Sequence, residues 1–202
     1  MNVFFLHPLP WAAARMHCDE HVRKMIIEYA QLLSTAHRML DGEEYYDKTA
    51  NGRRIKRWRL DDPVMEANVY KATHANHPSA VWVRENGDNY QWVLSCLDEL
   101  ADIYWSCTGK SHKTMGVVNA FLRKHPKNIT PGPDDMKLSP PPACVPDDLK
   151  VGSAKSVEEV VESYRAYYHR DKTKFATWNY NLNWTAGEGP DTNKEYMKYV
   201  LS

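Results

Sequence analysis

The stretch from Cys18 to Leu40, CDEHVRKMIIEYAQLLSTAHRML, decides the predicted fold. Its apolar residues recur every three or four positions, which is typical of a long amphipathic helix, and Asp41-Gly42 would end that helix. The remaining helices must pack on this apolar stripe. Polar side chains line its border at near-multiples of one helical turn: His21, Glu28, Gln31 and Thr35. An unpaired carboxylate is costly to bury at such a border, so Glu28 is either paired or functional.

Length and composition predict one domain over residues 1–202. A chain of 202 residues with 43% hydrophobic content can bury one substantial core. Its 26 basic and 26 acidic residues give a formal net charge of zero, so overall charge favours neither a nucleic-acid nor a membrane partner. Any basic binding face must therefore be local.

The cysteines and the hydropathy pattern predict a cytoplasmic protein. Four cysteines, Cys18, Cys96, Cys107 and Cys144, stand apart without a Cys-x-x-Cys pair, which favours reduced thiols. No run approaches the roughly 20 apolar residues of a membrane span. The N-terminus also lacks the basic region and the apolar run of a signal peptide.

The segments around the first long helix are short. Asn2 to Leu6 (NVFFL) predicts an extended segment laid on the core, because Pro8 and Pro10 stop it. Residues 41–61 contain the turn Asn51-Gly52 and a basic cluster around Trp58. The members of this cluster are Arg53, Arg54, Lys56, Arg57 and Arg59. They form either a solvated loop or hairpin, or a patch that faces phosphates.

Further helices follow, so the fold class is mainly α. Asp62-Pro63 is a good helix start, and its apolar spacing predicts a helix to about residue 77. Pro78 starts a short helix that breaks at Asn86-Gly87. Asp88 then caps a second long helix through about Cys107. A shorter helix is predicted from about residue 115 to residue 124.

The C-terminal third combines a meander, a helix and a tail. Seven prolines between residues 126 and 146 predict a surface loop with little regular structure. The capping box from Ser156 to Glu159 opens a helix over 156–175. Residues 176–202 are aromatic but poor in aliphatic side chains, so we expect this tail to wrap the surface.

One motif matches the pattern of a zinc hydrolase. His17-Cys-Asp-Glu20-His21 fits H-x-x-E-H, in which two histidines on one helix bind metal and the glutamate activates water. A zinc-dependent hydrolase is therefore an alternative. The other interpretation is a set of polar residues at a helix start, which needs no metal or other cofactor.

A second pair, His21 and Glu28, lies two turns apart on one helix face. The spacing is about 10 Å along the helix axis, so both side chains can line one groove without bonding each other. Desolvation at the edge of an apolar stripe disfavours the ionised carboxylate, which suits proton transfer near neutral pH. The alternative is a carboxylate paired with Lys24.

In this chain Asp19-Glu20-His21 is followed by six residues and then by Glu28, in a helix that comes after a short extended segment. This arrangement resembles the first helix of the phage-type pyrimidine-dimer DNA glycosylases of the endonuclease V kind. That family has Asp-Gln-His, six residues and the catalytic glutamate. Its C-terminus carries Thr-Trp-x-x-aromatic, to which Thr177-Trp178-Asn179-Tyr180 is similar. The chain also resembles phage-encoded proteins that share its His-Pro-Ser, Asn-Tyr-x-Trp and Gly-Lys-x-His segments, at residues 77–79, 89–92 and 109–112.

The resemblance implies a compact helical enzyme that acts on DNA or a nucleotide. Glu28 would be the catalytic carboxylate, His21 a residue of the substrate groove, and the α-amino group of the mature N-terminus the nucleophile that attacks the sugar C1′. The chain has Asn2 where the family has a small residue. It also has Ile27 and Gln31 where the family has arginines.

Other polar residues are candidates for the same groove. We expect them to bind substrate: Lys24, Gln31, Arg84, Asn89, Lys110, His112 and Trp178. Each of these residue types is also typical of a surface or capping position. Lys110 and His112, in a turn after the second long helix, suit a phosphate best. A non-catalytic phage interaction protein, which binds through its aromatic tail and basic loop, is the remaining alternative.

Overall fold

Helices dominate the structure, a computed structural model that describes residues 2–132 and 138–181. The helices are α1 (Pro10–Arg15), α2 (Asp19–Asp41), α3 (Pro63–Asn68), α4 (Pro78–Val83), α5 (Gly87–Thr108), α6 (Met115–Val117) and α7 (Val157–Tyr167). Turns of π-helix continue α6 over Val118–Leu122 and α7 over Tyr168–Lys172, and single 3-10 turns occupy Asp147–Leu149 and Asn179–Asn181. Strands β1 (Glu43–Lys48) and β2 (Arg54–Arg59) form an antiparallel hairpin. The predicted mainly α class is confirmed.

Helices α2 and α5 pack against each other at the centre of the core. The apolar face of α2 is buried as its periodicity predicts, with Val22, Ile26, Tyr29 and Leu33 all at 0% exposure. His37, near the end of α2, contacts Tyr90 in the first turns of α5. At the other end Tyr180 hydrogen-bonds both Asp19, at the start of α2, and Cys107, at the end of α5, so the two helices run antiparallel.

The N-terminal segment lies on this core without helix or strand, as the prolines predict. Val3 to Leu6 are buried, and the Phe5 ring lies 4.5 Å from the Trp92 ring of α5. The Trp92 indole N–H donates to the Pro8 carbonyl at 2.6 Å. One hydrophobic cluster thereby joins residues from Val3 to Tyr168.

The predicted helix over 62–77 is wrong in its length. Asp62 caps it and Pro63 starts it as expected, but α3 ends at Asn68 and the chain stays irregular up to α4. The guanidinium of Arg38 accounts for the early end, because it binds the carbonyl oxygens of Val69 and Tyr70 at 2.8 and 2.7 Å. A longer helix would need those carbonyls for its own ladder.

Two other boundaries also differ from their predictions. Asn86, not Asp88, caps α5, because its side chain accepts the Asn89 backbone N–H at 2.9 Å. The helix predicted from residue 115 is one α-helical turn followed by a wider π-helical turn. The capping box at Ser156 and Glu159 is present as predicted.

The proline-rich segment has neither helix nor strand in its described parts, 126–132 and 138–146. Of the aromatic tail, residues 176–181 are described, and the rest of the predicted tail lies outside the described residues. Among the described helices, none combines the length and apolar character that crossing a bilayer requires.

Candidate functional site

His21 lies under aromatic rings at the start of α2. Its imidazole stacks on Phe4 with 4.4 Å between ring centroids and an interplanar angle of 18°, and its Nδ1 hydrogen-bonds the hydroxyl of Tyr168. Burial, aided by the charges of His17, Lys172 and Lys24, lowers the pKa of His21 to about 3. The ring is therefore neutral at pH 7, and only 4% of the residue is exposed.

His17 is also buried and neutral, but it does not share a helix with His21. It lies in the break between α1 and α2, and its Nδ1 donates to the Ala13 carbonyl at 2.7 Å. A carbonyl can only accept, so Nε2 carries no proton and accepts from the Tyr29 hydroxyl at 3.3 Å. Both ring nitrogens thus have protein partners.

The buried histidines predict a loss of stability in mild acid. Burial lowers the pKa of His37 to about 4, whereas an unfolded histidine titrates near 6.5. Below pH 6.5 the unfolded chain therefore binds a proton at this histidine that the folded chain does not bind. This difference lowers the free energy of unfolding by about 2 kcal/mol per such histidine at pH 5. Urea unfolding at pH 7 and pH 5 should show His37→Gln losing about 2 kcal/mol less than the wild type. The exposed His74→Gln variant should lose as much as the wild type, and equal losses in all three proteins would contradict this account.

Glu28 lies further along the border of α2. Its side chain is 17% exposed, and Oε1 lies 3.5 Å from Nζ of Lys24, one turn earlier on the helix. Burial lowers the pKa of His77, and the negative charge of Glu28 opposes that shift, so Glu28 and His77 are within electrostatic reach. Gln31, three residues after Glu28, is half-buried. Lys24, Glu28, Gln31 and His77 are the polar residues of the candidate site.

The irregular segment between α3 and α4 faces the same border of α2. The Thr35 hydroxyl accepts the Thr73 backbone N–H at 3.2 Å, which joins this segment to α2. The Arg84 guanidinium donates to the carbonyls of Ala75 and Ala80 at 2.7 and 2.9 Å. Arg84 therefore supports the segment that carries His77.

Asn89 is fully buried in the first turn of α5. Its amide nitrogen donates to the Trp82 carbonyl and to the Ser139 hydroxyl, at 2.9 and 2.8 Å. Its Oδ1 finds no hydrogen-bond partner within the described residues. These contacts connect α4, α5 and the proline-rich segment.

Lys110 and His112 follow the C-terminal end of α5. Lys110 is exposed, whereas His112 is half-buried and lines a cavity of about 490 Å³. Glu28 is not among the residues that line it, which are Asp98, Ala101, Asp102, Trp105, Ser111, His112, Met115, Asn119 and Arg123. His112 therefore lines a cavity to which Glu28 does not contribute.

The two sequence motifs that carry the family resemblance touch each other. The Asp19 carboxylate, at the start of α2, accepts the Thr177 hydroxyl at 2.6 Å. It also accepts the backbone N–H groups of Asn179 and Tyr180, at 2.9 and 2.8 Å. The Asp19 backbone N–H donates to the Thr177 carbonyl at 2.7 Å. Asp19 thus fastens residues 177–180 to the helix that bears Glu28, and half-buried Trp178 donates its indole N–H to the Met16 carbonyl at 3.3 Å.

Loss of the Asp19 carboxylate should release residues 177–180. Hydrogen bonds to a charged acceptor contribute about 1.5–3 kcal/mol each when well formed, so Asp19→Ala should loosen this segment by at least ~1.4 kcal/mol. We expect limited chymotrypsin digestion to cut after Trp178 or Tyr180 at least ~10-fold faster than in the wild type. Glu20→Ala, which removes the neighbouring exposed carboxylate, is the control and should leave that rate unchanged. Equal rates for both variants would show that Asp19 does not fasten the segment.

Residues from the end of α7 complete the site, and no local motif indicates them. Lys172 lies 4.4 Å above the Tyr167 ring centroid and donates to the Tyr167 hydroxyl at 3.0 Å. Phe175 is 52% exposed, and its ring lies 6.1 Å from that of His21. A cation and an exposed ring therefore lie beside His21, more than 140 positions away in sequence. The basic residues after Tyr168 indicate a positive charge in this part of the chain, but they do not indicate that the charge lies beside His21.

Among the described residues, no group of three or more His, Cys, Asp or Glu side chains is arranged to hold a metal ion. Glu20, the third member of the zinc motif, is half exposed and pairs with Arg23 at 2.7 Å. The side chains of His17, Glu20 and His21 therefore do not converge on one point at which a metal ion could bind. Comparisons of the chain with protein-family models, curated proteins and solved structures gave no match.

Proposed function

We propose that this protein is an enzyme that acts on DNA or a nucleotide at the bond between base and sugar, with Glu28 as its acid/base. The observation that carries the proposal is the contact between the two motifs of the resemblance. Asp19 of the first motif holds Thr177 to Tyr180 of the second against the helix that carries Glu28. Such a contact is expected if both motifs serve one site.

The charges around Glu28 suit an anionic substrate. Lys24 lies beside its carboxylate, and Lys172 lies close enough to His21 to lower the pKa of that histidine. One cation beside the Glu28 carboxylate and a second beside His21, about 10 Å away along α2, allow phosphates to bind while the carboxylate transfers protons. His21 is 4% exposed, so we assign it to the wall of the site, where it supports Phe4 and Tyr168.

The proposed reaction uses an amine nucleophile and Glu28. The amine nitrogen forms a bond to C1′ while the C1′–N bond to the base breaks, and the bonding electrons leave with the base. A proton supplied to the base makes it a better leaving group. The nitrogen on C1′ then loses a proton and forms the C1′=N double bond while the C1′–O4′ bond breaks, and O4′ takes up a proton, which leaves an imine on the ring-opened sugar. The amine implied by the resemblance is that of the mature N-terminus, and Met1 lies outside the described residues.

A duplex oligonucleotide that contains one thymine dimer, with a panel carrying other modified bases, tests the proposal. We expect base release or strand cleavage on at least one member, and a covalent protein–DNA adduct after borohydride reduction. Mass spectrometry of the adduct would identify the amine. Absence of both base release and adduct across the panel, with protein of native circular dichroism, would reject the proposal.

We further propose that the chain works as one domain in the cytoplasm. All four cysteines lie in the described part of the chain, and all are free thiols. The continuous cluster from Val3 to Tyr168 supports a single folding unit.

A further inference from the structure

The β1–β2 hairpin, residues 43–59, presents one face rich in cations. Its register pairs Lys48 with Arg54, Tyr46 with Lys56 and Glu44 with Trp58. Directly opposed residues share a face of a sheet, so these six side chains lie together. Three cations and one carboxylate give this face a formal charge of +2, in a chain whose formal net charge is zero. We call it the basic hairpin face.

The cations on this face are held over an exposed ring. The Arg54 guanidinium lies 3.5 Å from the centroid of Tyr46, and Lys56 Nζ lies 5.8 Å from it. Tyr46 is 51% exposed, so the stacked guanidinium stands at the surface. Stacking fixes the plane of a guanidinium and leaves its N–H edges available to an anion. Glu44 pairs with Lys56 at 2.9 Å and is the one carboxylate on the face.

The hairpin is fastened to α2, the helix of Glu28. Arg38 of α2 donates to the Trp58 carbonyl at 2.9 Å. Gly42 connects α2 to β1, and a Cβ there would lie 2.5 Å from the Arg38 carbonyl oxygen. Because helix and strand approach so closely, the hairpin has a defined direction from the end of α2.

Helix geometry sets the distance from Glu28 to the base of the hairpin at the end of α2. The 13 residues from Glu28 to Asp41 correspond to about 20 Å at 1.5 Å per residue. Each strand of a DNA duplex places one phosphate per ~3.4 Å of axis, so 20 Å equals about six base pairs. Alternate residues of a strand are about 6.8 Å apart, which is the rise of two such steps. Arg54 and Lys56 have that spacing.

We propose that the basic hairpin face binds the phosphate backbone of the double-stranded DNA that carries the nucleotide at Glu28. The inference deepens the proposed function and rests on it for the position of the reacting nucleotide. The inference rests on charge complementarity, because every second phosphate along a DNA strand recurs at about the distance that separates Arg54 from Lys56. An acidic peptide is the competing partner, and the experiment separates the two.

Binding of an unmodified, fluorescein-labelled 20-base-pair duplex, measured by anisotropy between 50 and 200 mM salt, tests the inference. Loss of two phosphate contacts should lower the slope of log affinity against log salt by about 1.8. We expect that change, with weaker binding, for the double variant Arg54→Gln/Lys56→Gln. The matched control, Lys150→Gln/Lys155→Gln, removes the same charge beside α7 and should keep the wild-type slope. Glu44→Gln, which removes the carboxylate, should strengthen binding.

The outcomes distinguish this inference from the proposed function. A wild-type protein that does not bind the duplex, or an unchanged slope in the hairpin variant, would overturn the inference even if base release is observed. Binding of a labelled poly-glutamate peptide in place of the duplex, lost in the hairpin variant, would also overturn it. Hairpin-dependent duplex binding without base release would support the hairpin assignment and reject only the catalytic proposal.

Discussion

Replacement of Glu28 by glutamine should slow base release by about 10²- to 10⁴-fold, the range that a positioned acid/base contributes. Glutamine keeps the length and shape of the side chain but cannot exchange a proton. The ion pair of Glu28 with Lys24 spans 3.5 Å, and the lysine side chain is 56% exposed. Loss of that ion pair should therefore lower the free energy of unfolding by less than about 0.5 kcal/mol. Single-turnover base release on the substrate found in the panel, with thermal unfolding alongside, measures both effects.

Glu20→Gln is the matched control for Glu28→Gln. It removes the same charge from the same helix, from a carboxylate that is 51% exposed and paired with Arg23. We expect a near-normal rate for it. A normal rate in Glu28→Gln would remove Glu28 from the mechanism, whereas equal losses in both variants would show that the charge of α2 matters and not the position of Glu28.

The core was predictable because it depends on local periodicity. Val22, Ile26 and Leu33 of α2 lie on one face whichever partner covers them, and the structure buries all three. The capping box at Ser156 is likewise a local signal, since both of its hydrogen bonds form within four residues.

The surroundings of Glu28 and His21 were not predictable in the same way. His77 and Lys172 come from segments about 50 and 140 positions away, and no local pattern places them beside α2. The sequence contained both motifs of the resemblance, but only the fold brings Asp19 to Thr177. The assignment of Glu28 as acid/base stays a prediction that the kinetic experiment decides.

Arg38 shows why the helix after Asp62 was predicted too long. A basic residue in the last turn of a helix is usually a surface residue that complements the helix dipole. Here it is 2% exposed, and its guanidinium makes five hydrogen bonds. The acceptors are the carboxylate of Glu66 and the carbonyls of Trp58, Glu66, Val69 and Tyr70.

Glu66 connects this buried arginine to the chain before α3. Its Oε2 accepts Arg38 at 2.6 Å and the Leu60 backbone N–H at 2.8 Å. Partial burial acts to raise the pKa of Glu66, but the Leu60 N–H and the Arg38 guanidinium prevail and lower it. The charged pair therefore fixes both the base of the hairpin and the end of α3.

We therefore expect Arg38→Met to cost about 3–5 kcal/mol of unfolding free energy, because it removes the donor of five hydrogen bonds and each buried acceptor left without a partner costs about 1–3 kcal/mol. Methionine fills much of the space but leaves Glu66 and the backbone carbonyls without their donor. Arg38→Lys should also destabilise, because an ammonium has three donors for the five bonds of the guanidinium. Urea unfolding at pH 7 measures these differences.

Arg123→Met is the control for this prediction, since its pair with Asp98 is nearly half exposed and should contribute less than about 1 kcal/mol. Should Arg38→Met fail to fold, Glu66→Gln provides the second measurement, because an amide oxygen can still accept from Arg38 and Leu60 but carries no charge. We expect that variant to fold with a smaller loss. A loss below 1 kcal/mol in Arg38→Met would contradict the role of Arg38. A substantial loss would mean that the hairpin and the segment bearing His77 keep their places through one side chain of the helix that carries Glu28.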